Sequence, residues 1–309
     1  MPDLAVVIVT WNVRALVLDA LRTLLADLDA SNLAADVYVV DSASADDTVA
    51  AVTAAFPQVR LIASAENLGF ARANNLALRR IGFDQPDDPN LPLAVYLLNP
   101  DTLTYSGATR ALYSALMSDD RTGLVGARLA YEDGAFQHSA FRFPGLRQLW
   151  IELFPAPVRF YDTTFNGRYP RHLYDAGVPF SVDFVLGATM MLRREVIQQT
   201  GMFDEQFFMY CEEIDWAWRI RRASWEVKCV PAAHVAHLAG RSTGQVQPRS
   251  VINLWSSRLR LFSKYYPVWK LALARRMVAT GMAQRARSAA DPALADAYRT
   301  VARMALEQP

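Results

Sequence analysis

The first hundred residues alternate short β-branched apolar runs with stretches of helical spacing, and few architectures accommodate that order. Ala5-Val6-Val7-Ile8-Val9 is the continuous apolar run of a strand buried on both faces. Residues 14–28 then place Leu at 18, 21, 24, 25 and 28, along one side of a helix. The two signals repeat. Val37-Tyr38-Val39-Val40 and 59–63 read as strands, 46–56 and 70–81 as helices, and Leu93-Ala94-Val95-Tyr96-Leu97-Leu98 as a fourth strand. Strands joined by helices predict an α/β fold with a doubly wound, mainly parallel sheet flanked by helices.

The pattern changes near residue 125. A helix over 106–117 and a strand over 124–131 are followed by an aromatic, proline-bearing and aperiodic stretch, 134–179. A long irregular stretch inside a compact chain is usually functional. Regular signals return from 181, with helices at 195–200 and 213–223. Residues 250–309 read as helical throughout, broken at Pro267 and near Pro292.

Composition excludes several classes. At 52% hydrophobic, with 15 Phe, 12 Tyr and 7 Trp, the chain is not disordered. A net charge of +1 argues against a nucleic-acid partner. Cys211 and Cys229 are too few for a disulfide scaffold and fit buried thiols in a reducing compartment. The apolar run 4–9 stands behind Asp3 without a basic n-region, and no apolar run reaches about 18 residues. The expectation is a cytoplasmic chain that reaches the inner face of the cell membrane, if at all, from the side as a peripheral protein.

Ligands of open α/β sheets bind beyond the carboxyl ends of the strands. The first strand runs into Thr10-Trp11-Asn12, the second into Asp41-Ser42-Ala43-Ser44-Ala45-Asp46, and the fourth into Asn99-Pro100-Asp101. Each alone reads as a helix cap or Asx turn. Together they put three polar clusters on one rim. No glycine-rich phosphate loop is present, so a bound nucleotide needs its diphosphate neutralised by a divalent cation, Mg²⁺ or Mn²⁺, with Asp101 the best-placed carboxylate. Further on, Glu212-Glu213-Ile214-Asp215 crowds three carboxylates into four residues. Helical geometry puts 212 and 215 on one face and 213 elsewhere, and like-charge crowding raises a carboxylate's pKa toward that of a general base.

These residues resemble the inverting family 2 glycosyltransferases of GT-A fold. The likeness is carried by Val6-Val7-Ile8-Val9-Thr10-Trp11-Asn12, Val39-Val40-Asp41-Ser42-Ala43-Ser44-Ala45-Asp46-Asp47-Thr48, Asn67-Leu68-Gly69-Phe70-Ala71-Arg72-Ala73-Asn74-Asn75 and Leu97-Leu98-Asn99-Pro100-Asp101-Thr102. In the second half it rests on Leu186-Gly187-Ala188, Gly201-Met202-Phe203-Asp204-Glu205 and Tyr210-Cys211-Glu212-Glu213-Ile214-Asp215-Trp216. It covers about residues 4–245, and bacterial rhamnosyltransferases of cell-surface polysaccharide and cell-wall linker synthesis are the nearest look-alikes.

The resemblance implies three segments: a nucleotide-sugar-binding half at 1–125, an acceptor-binding and catalytic half at 126–249, and a basic helical extension at 250–309. It implies that Thr10, Asn12 and Asp41 line the base and ribose, and that Asn67, Gly69, Arg72 and Asn74 stand near the base and diphosphate. Gly69 would let backbone approach the ligand. The family's Asp-x-Asp is Asn99-Pro100-Asp101 here, which leaves Asp101 as the metal carboxylate and gives Asn99 to the nucleotide or sugar. Ser42 and Asp47 also depart from the commoner Asn and Gly. The general base is Glu213, with Glu212 as its rival and Asp215 as orienting partner. His237 would reach the metal or diphosphate, His234 is structural, and Arg241 with Ser242 and Thr243 forms a diphosphate loop. The implied partners are a dTDP- or UDP-linked sugar, with dTDP-L-rhamnose preferred, and a glycan acceptor linked to polyprenyl diphosphate. Two rivals stand against this: a non-catalytic nucleotide-sugar-binding scaffold protein, and a nicotinamide-dependent dehydrogenase.

Between Glu226 and Asp291 no acidic residue occurs. Val251, Leu254, Trp255, Leu259, Phe262, Tyr265, Tyr266 and Trp269 recur there at helical spacing, interleaved with Arg258, Arg260, Lys264, Lys270, Arg275 and Arg276. This stripe reads as core packing or as a basic amphipathic face that docks 250–290 on an anionic membrane surface.

Overall fold

The computed structural model describes residues 2–85, 88, 90–238 and 247–307. Its first half contains β1 (Leu4–Thr10), α1 (Arg14–Ser31), β2 (Ala35–Asp41), α2 (Thr48–Ala55), β3 (Arg60–Ala63), α3 (Gly69–Ile81), β4 (Ala94–Leu98), β5 (Thr102–Thr104) and α4 (Ala108–Met117). Then come β6 (Thr122–Ala130), β7 (Phe136–Gln137), β8 (Ala140–Phe141), α5 (Leu146–Leu153), α6 (Arg171–Asp175), β9 (Phe180–Ser181), β10 (Phe184–Val185), β11 (Thr189–Arg193) and α7 (Arg194–Thr200). The chain closes with α8 (Glu212–Arg222), β12 (Glu226–His237), α9 (Gln247–Tyr265), α10 (Val268–Ser288) and α11 (Pro292–Glu307).

One sheet runs in the order β3-β2-β1-β4-β11-β6-β12-β5. The four strands β3, β2, β1 and β4 are parallel, as their apolar runs predict. The parallel order ends at β11, which lies antiparallel between β4 and β6. Its run Thr189-Met190-Met191-Leu192 is buried on both faces, so side-chain pattern alone cannot give its direction. Side chains alternate across β1: Leu4, Val6 and Ile8 pack with Val17, Leu21 and Leu24 of α1, while Ala5 and Val7 face the cluster holding Ala71, Ala77 and Trp216.

The stretch 134–179 proves less irregular than its sequence suggests. It carries α5, whose Leu149 and Leu153 enter a third core with Trp255, Leu259 and Phe262 of α9, Val278 and Met282 of α10, and Val301 of α11. A Cβ on Gly281 would come within 2.8 Å of the Leu153 Cβ, so α10 and α5 pack at glycine distance. The aromatic stripe of 250–290 is therefore mostly core: Trp255 is 2% exposed, whereas Trp269, beyond the Pro267 break, is 67% exposed.

Hydrogen bonds tie the C-terminal helices to the rest. Ser257 Oγ donates to the Met209 carbonyl at 2.8 Å, Tyr265 OH to Asp215 Oδ1 at 2.7 Å, and Tyr266 OH to the Pro144 carbonyl. Trp218 of α8 stacks on Tyr265, with ring centroids 4.4 Å apart.

Candidate active site

The exits of β1, β2 and β4 open on a cavity of about 290 Å³. Thr10, Ser42, Asn67, Gly69, Asn99 and Asp101 line it from the first half of the chain, and Gly187, Tyr210, Glu212, Glu213 and His237 from the second. Helix α9 adds Arg249, Ser250 and Asn253.

Strand pairing brings Asp101 to His237. Asp101 stands in the turn between β4 and β5, and β5 pairs antiparallel with the end of β12, His237 opposite Thr102. The Leu238 N–H donates to the Asp101 carbonyl at 2.8 Å. His237 Nε2 then lies 3.5 Å from Asp101 Oδ1, both residues buried. A carboxylate and an imidazole suit a divalent ion such as Mn²⁺, whose other positions water and phosphate oxygens can fill. Among the described residues no group of three His, Cys, Asp or Glu could hold a metal ion. The residues therefore fit a cation shared with a bound diphosphate. Asn99 fits a polar ligand, because its buried amide oxygen has no hydrogen-bond partner among the described residues.

The acidic motif is positioned by a backbone kink. Tyr210 and Cys211 are consecutive left-handed residues, φ +70° and +67°, a conformation costing about 1–2 kcal/mol each for non-glycine residues. The kink starts α8 at Glu212, so Glu212 and Glu213 occupy its first turn, where the helix dipole favours negative charge. Burial is nevertheless the main influence and pushes Glu213 up to about 7, while backbone N–H bonds and the Arg258 guanidinium pull the other way. Glu212 is raised well above the ordinary carboxylate range by burial and then by the charge of Glu213. Both carboxyls are thus held above the ordinary carboxylate range, chiefly by burial. Crowding, the cause expected from sequence, comes second to desolvation at Glu212 and does not figure at Glu213.

Asp215 does not line the cavity, whereas Glu212 and Glu213 do. Two residues beyond Glu213 is a rotation of about 200° in a helix, and Asp215 turns into the protein. It accepts from Arg219 Nε at 2.9 Å, from Tyr265 OH and from Lys264 Nζ at 2.6 Å.

The nucleotide residues divide. Thr10, Asn67, Gly69, Asn99 and Asp101 reach the cavity. Asn12 and Asp41 brace the loop behind it: Asn12 Oδ1 accepts from the Ala45 N–H at 2.7 Å, and Asp41 Oδ2 from the Ser44 N–H at 2.9 Å. Arg72 and Asn74 do not line the cavity. Arg72 pairs on the surface with Glu66, and the Asn74 amide donates to the Phe70 carbonyl one turn back. Arg241 lies outside the described residues, as do Ser242 and Thr243. His234 is exposed.

Gly69 is needed, but protein rather than ligand crowds it. Its φ is +70°, and a Cβ there would fall 2.3 Å from the Phe208 carbonyl oxygen, which also accepts from the Phe70 N–H. The start of α3 is thereby pressed onto the loop that leads to Tyr210 and Glu212. Sequence reasoning missed Arg249, Ser250 and Asn253, whose segment reads only as an amphipathic helix. It also missed Gln137, whose Oε1 lies 3.3 Å from His237 Nδ1.

Residues 5–201 match the family model described as glycosyl transferase family 2. This chain belongs to that family. The glycosyltransferase is 30% identical over 211 residues to N-acetylglucosaminyl-diphospho-decaprenol L-rhamnosyltransferase of Mycobacterium tuberculosis, covering 68% of each chain. It is 26% identical over 189 residues to a low-salt glycan biosynthesis hexosyltransferase of Haloferax volcanii, covering 61% of this chain and 54% of that one. Among solved structures it resembles a mannosyltransferase from Pyrobaculum calidifontis in complex with GDP-Man and Mn²⁺, with a TM-score of 0.55 and 18% identity, covering 99% of this chain and 84% of that chain. It also resembles GalNAc-T7 with UDP, GalNAc and Mn²⁺, with a TM-score of 0.59 and 14% identity, covering 100% and 56%. The fold of the glycosyltransferase is GT-A.

Burial makes the neutral form of Glu213 the one the folded state prefers. Its stabilising contribution is present below the ordinary carboxylate range and is lost as pH rises through about 7. Glu213→Gln is therefore expected to raise the melting temperature more at pH 8 than at pH 5, measured by calorimetry. Equal shifts at both pH values would contradict the raised pKa.

Proposed function

We propose that this glycosyltransferase moves L-rhamnose from dTDP-L-rhamnose to an N-acetylglucosamine carried on polyprenyl diphosphate, with inversion at the anomeric carbon. The substrate pair is argued from the named activity of the mycobacterial relative, at 30% identity. One observation carries the chemistry: a single cavity joins Glu213 to the Asp101–His237 pair. In the proposed step Glu213 takes the proton from the acceptor hydroxyl. The acceptor oxygen bonds to the anomeric carbon as the bond from that carbon to the diphosphate oxygen breaks, releasing the nucleoside diphosphate. Asp101 and His237 would hold a divalent cation, which supplies positive charge beside the diphosphate when bound. Asn99 offers its buried amide to the nucleotide or sugar. Glu212, kept neutral beside Glu213, leaves the negative charge on the base.

Transfer to a synthetic polyprenyl-diphosphate acceptor with Mn²⁺ or Mg²⁺ and a panel of dTDP- and UDP-sugars tests this reading. Glu213→Gln is expected to lower kcat by about 10²–10⁴-fold, and Asp101→Ala to lower turnover at every metal concentration. Glu212→Gln is expected to keep the acidic limb of the pH profile near 7. If Glu212→Gln is inactive and Glu213→Gln is not, the two carboxylates exchange roles. If neither Glu213→Gln nor Asp101→Ala changes turnover, the catalytic reading fails in favour of a binding scaffold, and a preference for another hexose would replace rhamnose.

Among the described residues no helix is long and apolar enough to cross a membrane. We propose that the enzyme meets anionic lipid through the start of α10, where Val268, Trp269 and Leu273 are exposed beside Lys270 and Arg276. Trp269→Ala is expected to weaken binding to vesicles containing anionic lipid at low salt while leaving stability within about 0.5 kcal/mol. Unchanged sedimentation with vesicles would sink the membrane contact.

A further inference from the structure

Strand β7 brings one more side chain to the metal-site pair. Gln137 is buried, and strand pairing sets its place: it stands opposite Leu129 on β6, and Leu129 stands opposite Val235 on β12. β6 thus stands between the two, with Gln137 across it from the end of β12, where His237 sits. Gln137 Oε1 lies 3.3 Å from His237 Nδ1, while His237 Nε2 lies 3.5 Å from Asp101 Oδ1. An amide carbonyl oxygen only accepts, so this contact is a hydrogen bond when Nδ1 carries the ring proton. Nε2 is then left as a lone pair facing a carboxylate oxygen. Two electron-pair donors at that separation are held together by a proton or by a metal cation between them. Metal–ligand bonds of about 2.1 Å set neighbouring ligand atoms about 3–3.5 Å apart, so the spacing suits one shared divalent ion.

We propose that Gln137 is a positioning residue for the cation: its side-chain carbonyl locks His237 in the Nδ1–H tautomer and turns Nε2 toward the position shared with Asp101. The tautomer is argued from the Gln137 contact, while the cation rests on the metal-dependent reading of the site. Partners of this kind fix ring orientation, and losing one typically weakens metal binding about 10–100-fold.

Two readouts other than turnover test it on the full chain. Histidine ring ¹H–¹⁵N spectra of the metal-free protein are expected to show His237 protonated at Nδ1 and bare at Nε2 in the wild type and in Gln137→Glu. A mixed population is expected in Gln137→Leu. Mn²⁺ titrated alone and followed by electron paramagnetic resonance is expected to bind about 10-fold or more weakly to Gln137→Leu. Gln137→Glu, which keeps the acceptor, is expected to stay near wild type. A wild-type His237 protonated at Nε2, or Gln137→Leu binding Mn²⁺ as the wild type does, overturns the proposal. Asp101→Ala separates the failures. If it abolishes Mn²⁺ binding while Gln137→Leu does not, only the positioning role is lost. If it too leaves affinity unchanged, the cation reading fails with it.

Discussion

A buried carboxylate, Asp215, is the knot between α8 and the C-terminal helices. It is fully buried, and such a charge is stable only when paired and hydrogen-bonded. Arg219 of its own helix supplies one partner, and Tyr265 and Lys264 of α9 supply two more. Lys264 also reaches Asp204, and Arg219 donates to the Met202 carbonyl, so the loop before α8 is held by the same group. Removing the carboxylate would take the shared partner from Arg219, Lys264 and Tyr265 at once. Two consequences reach the cavity. The first turn of α8, with Glu212 and Glu213, is held against the cavity wall, and α9 is held where Arg249 and Asn253 complete that wall.

The same pairing explains the charge pattern of the chain. Residues before 250 carry a net negative charge and those after it a net positive one. Much of the tail's positive charge is spent inside the molecule. Arg258 pairs with Glu152, Lys264 with Asp204 and Asp215, and Arg260 with Gln206, while Arg285 donates to the Glu152 carbonyl. Arg258 and Lys264 thus neutralise acids of the body. Exposed apolar side chains beside cations gather at the start of α10.

Local pattern was enough for some of this and silent on the rest. The parallel strands were legible because both their faces are buried, which writes a continuous apolar run. Thr10, Asn99 and Asp101 were legible because a strand's end fixes where the following residues emerge. Arg72 and Asn74 were misplaced because a motif does not say which way a helical side chain turns; one meets Glu66 and the other its own helix. Gln137 left no signal, since its two-residue strand matters only through a hairpin and a register set by β6 and β12. Glu213 was legible as an acid beside acids, but its raised pKa comes chiefly from burial, a property of the assembled cavity.

The central claim is a single displacement driven by a carboxylate base that ionises near neutral pH. Its direct test is the anomeric configuration of the first product formed, read by NMR during transfer from a donor of known configuration. The account predicts a product of opposite configuration to the donor, because one oxygen replaces another in a single in-line step. A product with retained configuration would contradict it, since two displacements would then be required and Glu213 would not be acting as the base alone.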